Sequence, residues 1–113
     1  MKRASLLLAL FASTALGQTH VIDDSINVTT NNFVIVKLTI HNRDSSPQQF
    51  NLYRDDKYIG TTLVDGFSMG SVWIKLPNLE KGIIKPYMVC SSKVVDGKTL
   101  NYKVCSIYRA KQV

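Results

Sequence analysis

Hydrophobic and polar positions alternate with a period of two along most of this chain. The alternation runs longest from Phe33 to Asn42. Val34, Val36, Leu38 and Ile40 point one way, and Phe33, Ile35, Lys37, Thr39 and His41 point the other. The run is dense in β-branched residues, which suit a pleated, half-buried surface. Asn42-Arg43-Asp44-Ser45-Ser46-Pro47 then gathers turn formers and ends the strand. Phe50 to Leu63 reads as a hairpin folded at Asp55-Asp56. A two-residue turn there sets Arg54 against Lys57, Tyr53 against Tyr58, Leu52 against Ile59 and Asn51 against Gly60, so that Leu52 and Ile59 share the core face and the tyrosines the other. After a turn over Asp65 to Gly70, Ser71 to Leu76 alternates again. Val72, Ile74 and Leu76 face the core, Ser71, Trp73 and Lys75 lie opposite, and Pro77 stops the strand.

The ends of the chain follow the same rule. Ser25 to Thr30 has strand-type alternation. Gln18 to Ser25 is polar, and reads as a frayed terminus, a short edge strand or a strand added to a neighbour's open edge. Asn78 to Lys85 reads as a loop. A second hairpin joins Pro86–Val95 to Leu100–Tyr108 through a four-residue loop, Asp96-Gly97-Lys98-Thr99, which sets Val95 against Leu100. The same register sets Cys90 against Cys105. About seven short strands without a helix-period segment predict an all-β, immunoglobulin-like antiparallel β-sandwich.

One stretch departs from the alternation. Lys2 and Arg3 precede an apolar run from Leu6 to Leu16, and Ala15-Leu16-Gly17 offers small residues where signal peptidase reads. This predicts a signal peptide over residues 1–17 and a single domain over 18–113. The apolar run is shorter than the ~20 residues of a membrane span, and no later stretch is long enough. Export places the two cysteines in an oxidising compartment, where a Cys90–Cys105 disulfide is expected. Closing a loop of this size contributes ~3 kcal/mol in the chain-entropy picture.

Charge adds little. The formal net charge is +6, and the basic residues are scattered through strands and turns with no run that suggests nucleic acid. Catalytic and metal signals are missing as well. His20 and His41 are the only histidines, without HExxH, H-x-H or Cys/His spacing, and read as ordinary surface or strand residues. Asp55 and Asp56 are explained by the turn. Asp23-Asp24 lacks the spaced oxygen ligands of a calcium loop. No serine-nucleophile motif occurs, and Ser68-Met69-Gly70-Ser71 reads as a turn. No cofactor and no metal are therefore expected. Asn27-Val28-Thr29 matches an N-glycosylation sequon. Tyr53, Tyr58, Trp73 and Phe33 all oppose core-type residues and are the candidates for a binding face.

The order of a strand ending in a polar Asn-Arg-Asp-Ser-Ser-Pro loop, the hairpin Phe50 to Thr61, a Gly70-Ser71 turn and the strand Val72-Trp73-Ile74 resembles the CARDB-type immunoglobulin-like modules of bacterial surface and secreted proteins. The resemblance covers Phe33 to Leu76. PEGA-type modules share the hairpin but continue with a proline-containing step, where this chain has Thr62-Leu63. Asp56 stands where the CARDB-type pattern has glycine, and a cysteine-bearing hairpin replaces its asparagine-rich end. The resemblance implies a non-catalytic binding or spacer module and transfers no functional residue. The expected function is that of an exported, periplasmic or extracellular accessory module that binds another envelope or surface protein in adhesion or assembly. A small secreted inhibitor or a module binding polysaccharide is the alternative, and a minor hydrolase comes after it.

Mass measurement of the exported protein is expected to find a chain beginning at Gln18 that gains two hydrogens on reduction. A chain with two free thiols before reduction contradicts the cysteine pairing.

Overall fold

The structure, a computed structural model, describes residues 18–21, 25–99 and 102–113. The expected signal peptide, Asp23-Asp24 and the positions Leu100 and Asn101 lie outside the described residues. The described chain is all-β. Its strands are β1 (Gln18–His20), β2 (Ile26–Thr29), β3 (Val34–Asn42), β4 (Gln48–Arg54), β5 (Lys57–Val64), β6 (Met69–Leu76), β7 (Ile84–Val95), β8 (Lys98–Thr99) and β9 (Val104–Gln112).

Two sheets pack as a sandwich. The small sheet has the order β1-β3-β6 and the large one β2-β9-β7-β4-β5, with β8 paired to the end of β7. The alternation explains the layering. Val36, Leu38 and Ile40 of β3 and Ile74 and Leu76 of β6 are buried, and meet Phe50 and Leu52 of β4, Val64 of β5, Tyr87 and Val89 of β7 and Tyr108 and Ala110 of β9. Val34 and Val72 pack against this core, so the core face expected for β3 and β6 is the one found.

Both hairpins turn on two residues with positive φ, which is the twist that strand pairs favour. Asp55 and Asp56 have φ of 49° and 66°, and set Arg54 against Lys57 and Tyr53 against Tyr58 as expected. Beyond that point a β-bulge corrects the expected register. Leu52 faces Gly60 and Asn51 faces Thr61, so Ile59 is the extra residue. Gly60 there has a φ of 152°, a conformation side chains avoid.

The second hairpin also differs from the expectation. Asp96 and Gly97, with φ of 52° and 75°, form a two-residue turn that pairs Val95 with Lys98, not with Leu100. Cys90 nonetheless faces Cys105 and is bonded to it. The turn and the disulfide thus follow registers two residues apart. Two further findings concern the ends of the chain. Gln18 to His20 is the short edge strand among the expected readings, paired with β3 of its own chain. β2 runs parallel to β9, whereas the other strand pairs among the described residues are antiparallel.

The chain changes sheets between β5 and β6, and Asn42 fixes that crossing. Asn42 ends β3 fully buried. Its Nδ2 donates to the carbonyls of Ser46, Val64 and Asp65, each at 3.1 Å, and its Oδ1 accepts the Asp44 N–H at 3.0 Å. Its own N–H donates to the Ser68 carbonyl at 2.9 Å. Gly66 lies so close to this loop that a Cβ would sit 2.1 Å from the Ser45 oxygen.

Asn42→Ala is expected to cost about 3 kcal/mol, since the buried Val64 carbonyl and the partly buried carbonyls of Ser46 and Asp65 lose their donor. Asn42→Asp is expected to cost more at neutral pH, because a carboxylate only accepts hydrogen bonds, and to regain part of the loss on acidification as it protonates. Denaturant midpoints unchanged in both variants contradict the role given to Asn42.

Candidate functional site

The four candidate aromatics fall on opposite faces of the sandwich. Tyr53 and Tyr58 lie on the outer face of the large sheet, on either side of the Asp55-Asp56 turn. Their rings meet edge to face at 6.0 Å. Lys103 Nζ lies 4.2 Å from the Tyr53 ring centroid. A polar ladder orders Tyr58: its hydroxyl is 2.7 Å from Thr61 Oγ1, which donates to Asn51 Oδ1, and Asn51 Nδ2 donates to Thr99 Oγ1. The bulge at Ile59 and Gly60 makes this ladder, because it lets Tyr58 and Thr61 face outward together. Tyr58 is 55% exposed.

Trp73 and Phe33 lie on the outer face of the small sheet. Trp73 is 68% exposed, opposite Lys37 in the register. Lys75 Nζ sits 4.7 Å from the Phe33 ring centroid. Ile35 and Met69 are exposed on the same face.

What joins the two faces is the side of the sandwich where β5 ends one sheet and β6 ends the other. A cavity of about 340 Å³ opens between these edges. Leu52, Ile59, Val72 and Ile74 line its apolar part, and Thr61 and Trp73 its lips. Gly60 leaves it wide, since a Cβ there would have nothing within 4 Å. Arg54 reaches across it and donates from Nη1 to the Lys75 carbonyl at 2.7 Å. Beyond Arg54 a second cavity of about 260 Å³ is lined by Arg54, Lys57 and Lys85 with Asp55, Asn78 and Tyr87. The Asp55 carboxylate is engaged there, accepting the Met88 N–H at 2.9 Å.

The histidines divide. His41 stays on the outer face of the small sheet, opposite Met69. His20 is a strand residue whose imidazole lies 2.6 Å from Ser91 Oγ and 2.8 Å from Ser106 Oγ. Ser91 is wholly buried and also receives the Gln18 amide at 2.7 Å. The pair of partly buried His20 and wholly buried Ser91 joins β1 to β7 and β9. Among the described residues no group of three or more His, Cys, Asp or Glu could hold a metal ion. Ser68 Oγ donates to the Gly66 carbonyl and Ser71 Oγ pairs with Thr39 Oγ1, both ordinary turn and cross-strand contacts. Asn27 donates from its side chain to the Arg109 carbonyl.

Sequence reading found the exposed aromatics and missed the cavity, because strand order, not alternation, brings β5 beside β6. It also missed the clamp at His20, since three residues of β1 are too few to show a period. Comparison with known protein families and with curated proteins finds no match to the chain.

Burial lowers the His20 pKa from 6.5 to about 4. Above pH 6.5 neither the folded nor the unfolded chain binds a proton there. Between 6.5 and about 4 only the unfolded chain does, so this group removes stability as the pH falls through that window, by about 3 kcal/mol. The stability advantage of the natural chain over His20→Gln is expected to shrink as pH falls across it. A constant difference contradicts a buried, neutral imidazole.

Proposed function

We propose that this protein is an exported, non-catalytic binding module of the cell envelope or cell surface, acting in adhesion or assembly through contact with another protein. The observation that carries this reading is the pairing of exposed aromatic side chains with unfilled strand edges. Trp73 and Tyr58 are large and exposed, and Tyr58 is held by Thr61, as interface anchors are. The leader-like pattern at residues 1–17 and the Cys90–Cys105 disulfide favour an oxidising location. Among the described residues no helix is long and apolar enough to cross a membrane. The resemblance of Phe33 to Leu76 to CARDB-type modules supports a binding or spacer role in place of chemistry. The Ser91 hydroxyl beside His20 is wholly buried and the Asp55 carboxylate is engaged with backbone, which favours binding over hydrolysis.

Capture of a partner from the source envelope by the immobilised protein is the test. The expected outcome is a protein retained by the natural chain and lost, by about tenfold or more, with Trp73→Ala or Tyr58→Ala. Capture unchanged in both variants contradicts the aromatic anchors. Retention on polysaccharide resin with no protein captured favours the carbohydrate-binding alternative.

A further inference from the structure

We propose that the opening between β5 and β6 is a strand-acceptor groove. It takes an extended, acid-headed peptide segment of a partner protein, added antiparallel to the β6 edge. This rests on the binding-module reading and assigns it a site.

The edge itself is the first argument. β6 pairs with β3 through eight consecutive partners, from Val34↔Leu76 to His41↔Met69, with no bulge. Its other edge has no strand beside it among the described residues. Such edges are ordinarily blunted by proline, bulges, inward charges or short length. β6 uses none of these: it is eight residues long, without proline, and its one charged residue, Lys75, points to the outer face; Arg54 holds the Lys75 carbonyl, and an entering strand displaces that side chain. β5 across the groove is blunted by the bulge at Ile59 and Gly60, which marks β6 as the accepting edge.

Shape is the second argument. Leu52 and Ile74 belong to the core and are nearly inaccessible, yet they line the cavity with Ile59 and Val72. A strand added to β6 places every second side chain toward that lining. An apolar residue there extends the core outward, and Trp73 covers the strand from the outer face.

Charge selects the occupant. The groove runs past Arg54 into the cavity bearing Lys57 and Lys85, whose one carboxylate, on Asp55, is engaged with backbone. This basic cavity lies beside the Leu76 end of β6, where an antiparallel strand begins. The segment therefore carries acidic residues at its N-terminal end. A second copy of the chain, with a formal charge of +6, is disfavoured by the same charge.

Trp73 is the single tryptophan of the chain, so its fluorescence reports the groove directly. The probes are three synthetic peptides of alternating valine and threonine, as long as β6. One is headed by two aspartates, one by two lysines, and one has aspartates with prolines at its centre. The acidic peptide is expected to give a saturable blue shift. The lysine-headed peptide should bind about tenfold more weakly, and the proline peptide should give no shift. Lys57→Glu, an exposed position, is expected to narrow or invert the preference between the charged peptides. Three results overturn the proposal: no shift with any peptide, equal binding of the proline peptide, or concentration-dependent dimerisation that shifts Trp73 without peptide. Partner capture that Tyr58→Ala abolishes and Lys57→Glu leaves intact, with no peptide response, overturns the groove while the binding-module reading stands.

Discussion

The hydrogen bonds of Asn42 are the constraint from which the shape of this sandwich follows. A buried amide that serves three carbonyls and one N–H holds the end of β3, the loop after it and the end of β5 in one cluster. The chain can then leave the large sheet at Val64 and enter the small one at Met69 with four residues between. Gly66 is forced by the same cluster, because only a residue without Cβ fits against Ser45. The crossing makes β5 and β6 neighbours on one side, each the last strand of its sheet. That placement turns two ordinary strands into the walls of an opening.

The two sides of the sandwich are consequently unlike. On one, β1 lies against β3, and its His20 and Gln18 reach Ser91 and Ser106 on the large sheet. The polar groups there are buried at a cost met mostly by hydrogen bonds, although Gln18 Oε1 has no partner among the described residues. Neutral imidazole suits this site, and burial explains its low pKa. On the other side the partly buried Ile59 and Val72 line an opening between the edges of β5 and β6, spanned by the Arg54 side chain. One side is closed by a polar clasp and the other is left open, and the proposed binding falls on the open side.

Alternation of side chains was enough to identify the fold class and the core faces of β3 and β6, because burial imposes a period of two. The Asp55-Asp56 turn was legible from the type of residue that tolerates positive φ. Cys90 opposite Cys105 was legible too, but the four-residue loop offered in its support was not the turn that forms. Asp96-Gly97 suits a two-residue turn, and local turn preference overrode a uniform register. The bulge at Ile59 was hidden for a similar reason: Leu52 and Ile59 look like a matched apolar pair, and only Gly60 hints otherwise. Strand order was beyond reach. Nothing local in Ile26 to Thr29 reveals a parallel partner 83 residues away, and the groove depends on that kind of long-range placement.

Residue-resolved amide hydrogen exchange of the free protein tests the open side most directly. Amides bonded within β3, β4, β7 and β9 should exchange slowly, while the outward amides of β6, at alternate positions from Met69 to Leu76, should exchange as fast as those of loops. Slow exchange at every amide of β6 in the dilute, monomeric protein would mean that this edge is already covered, and would contradict the account.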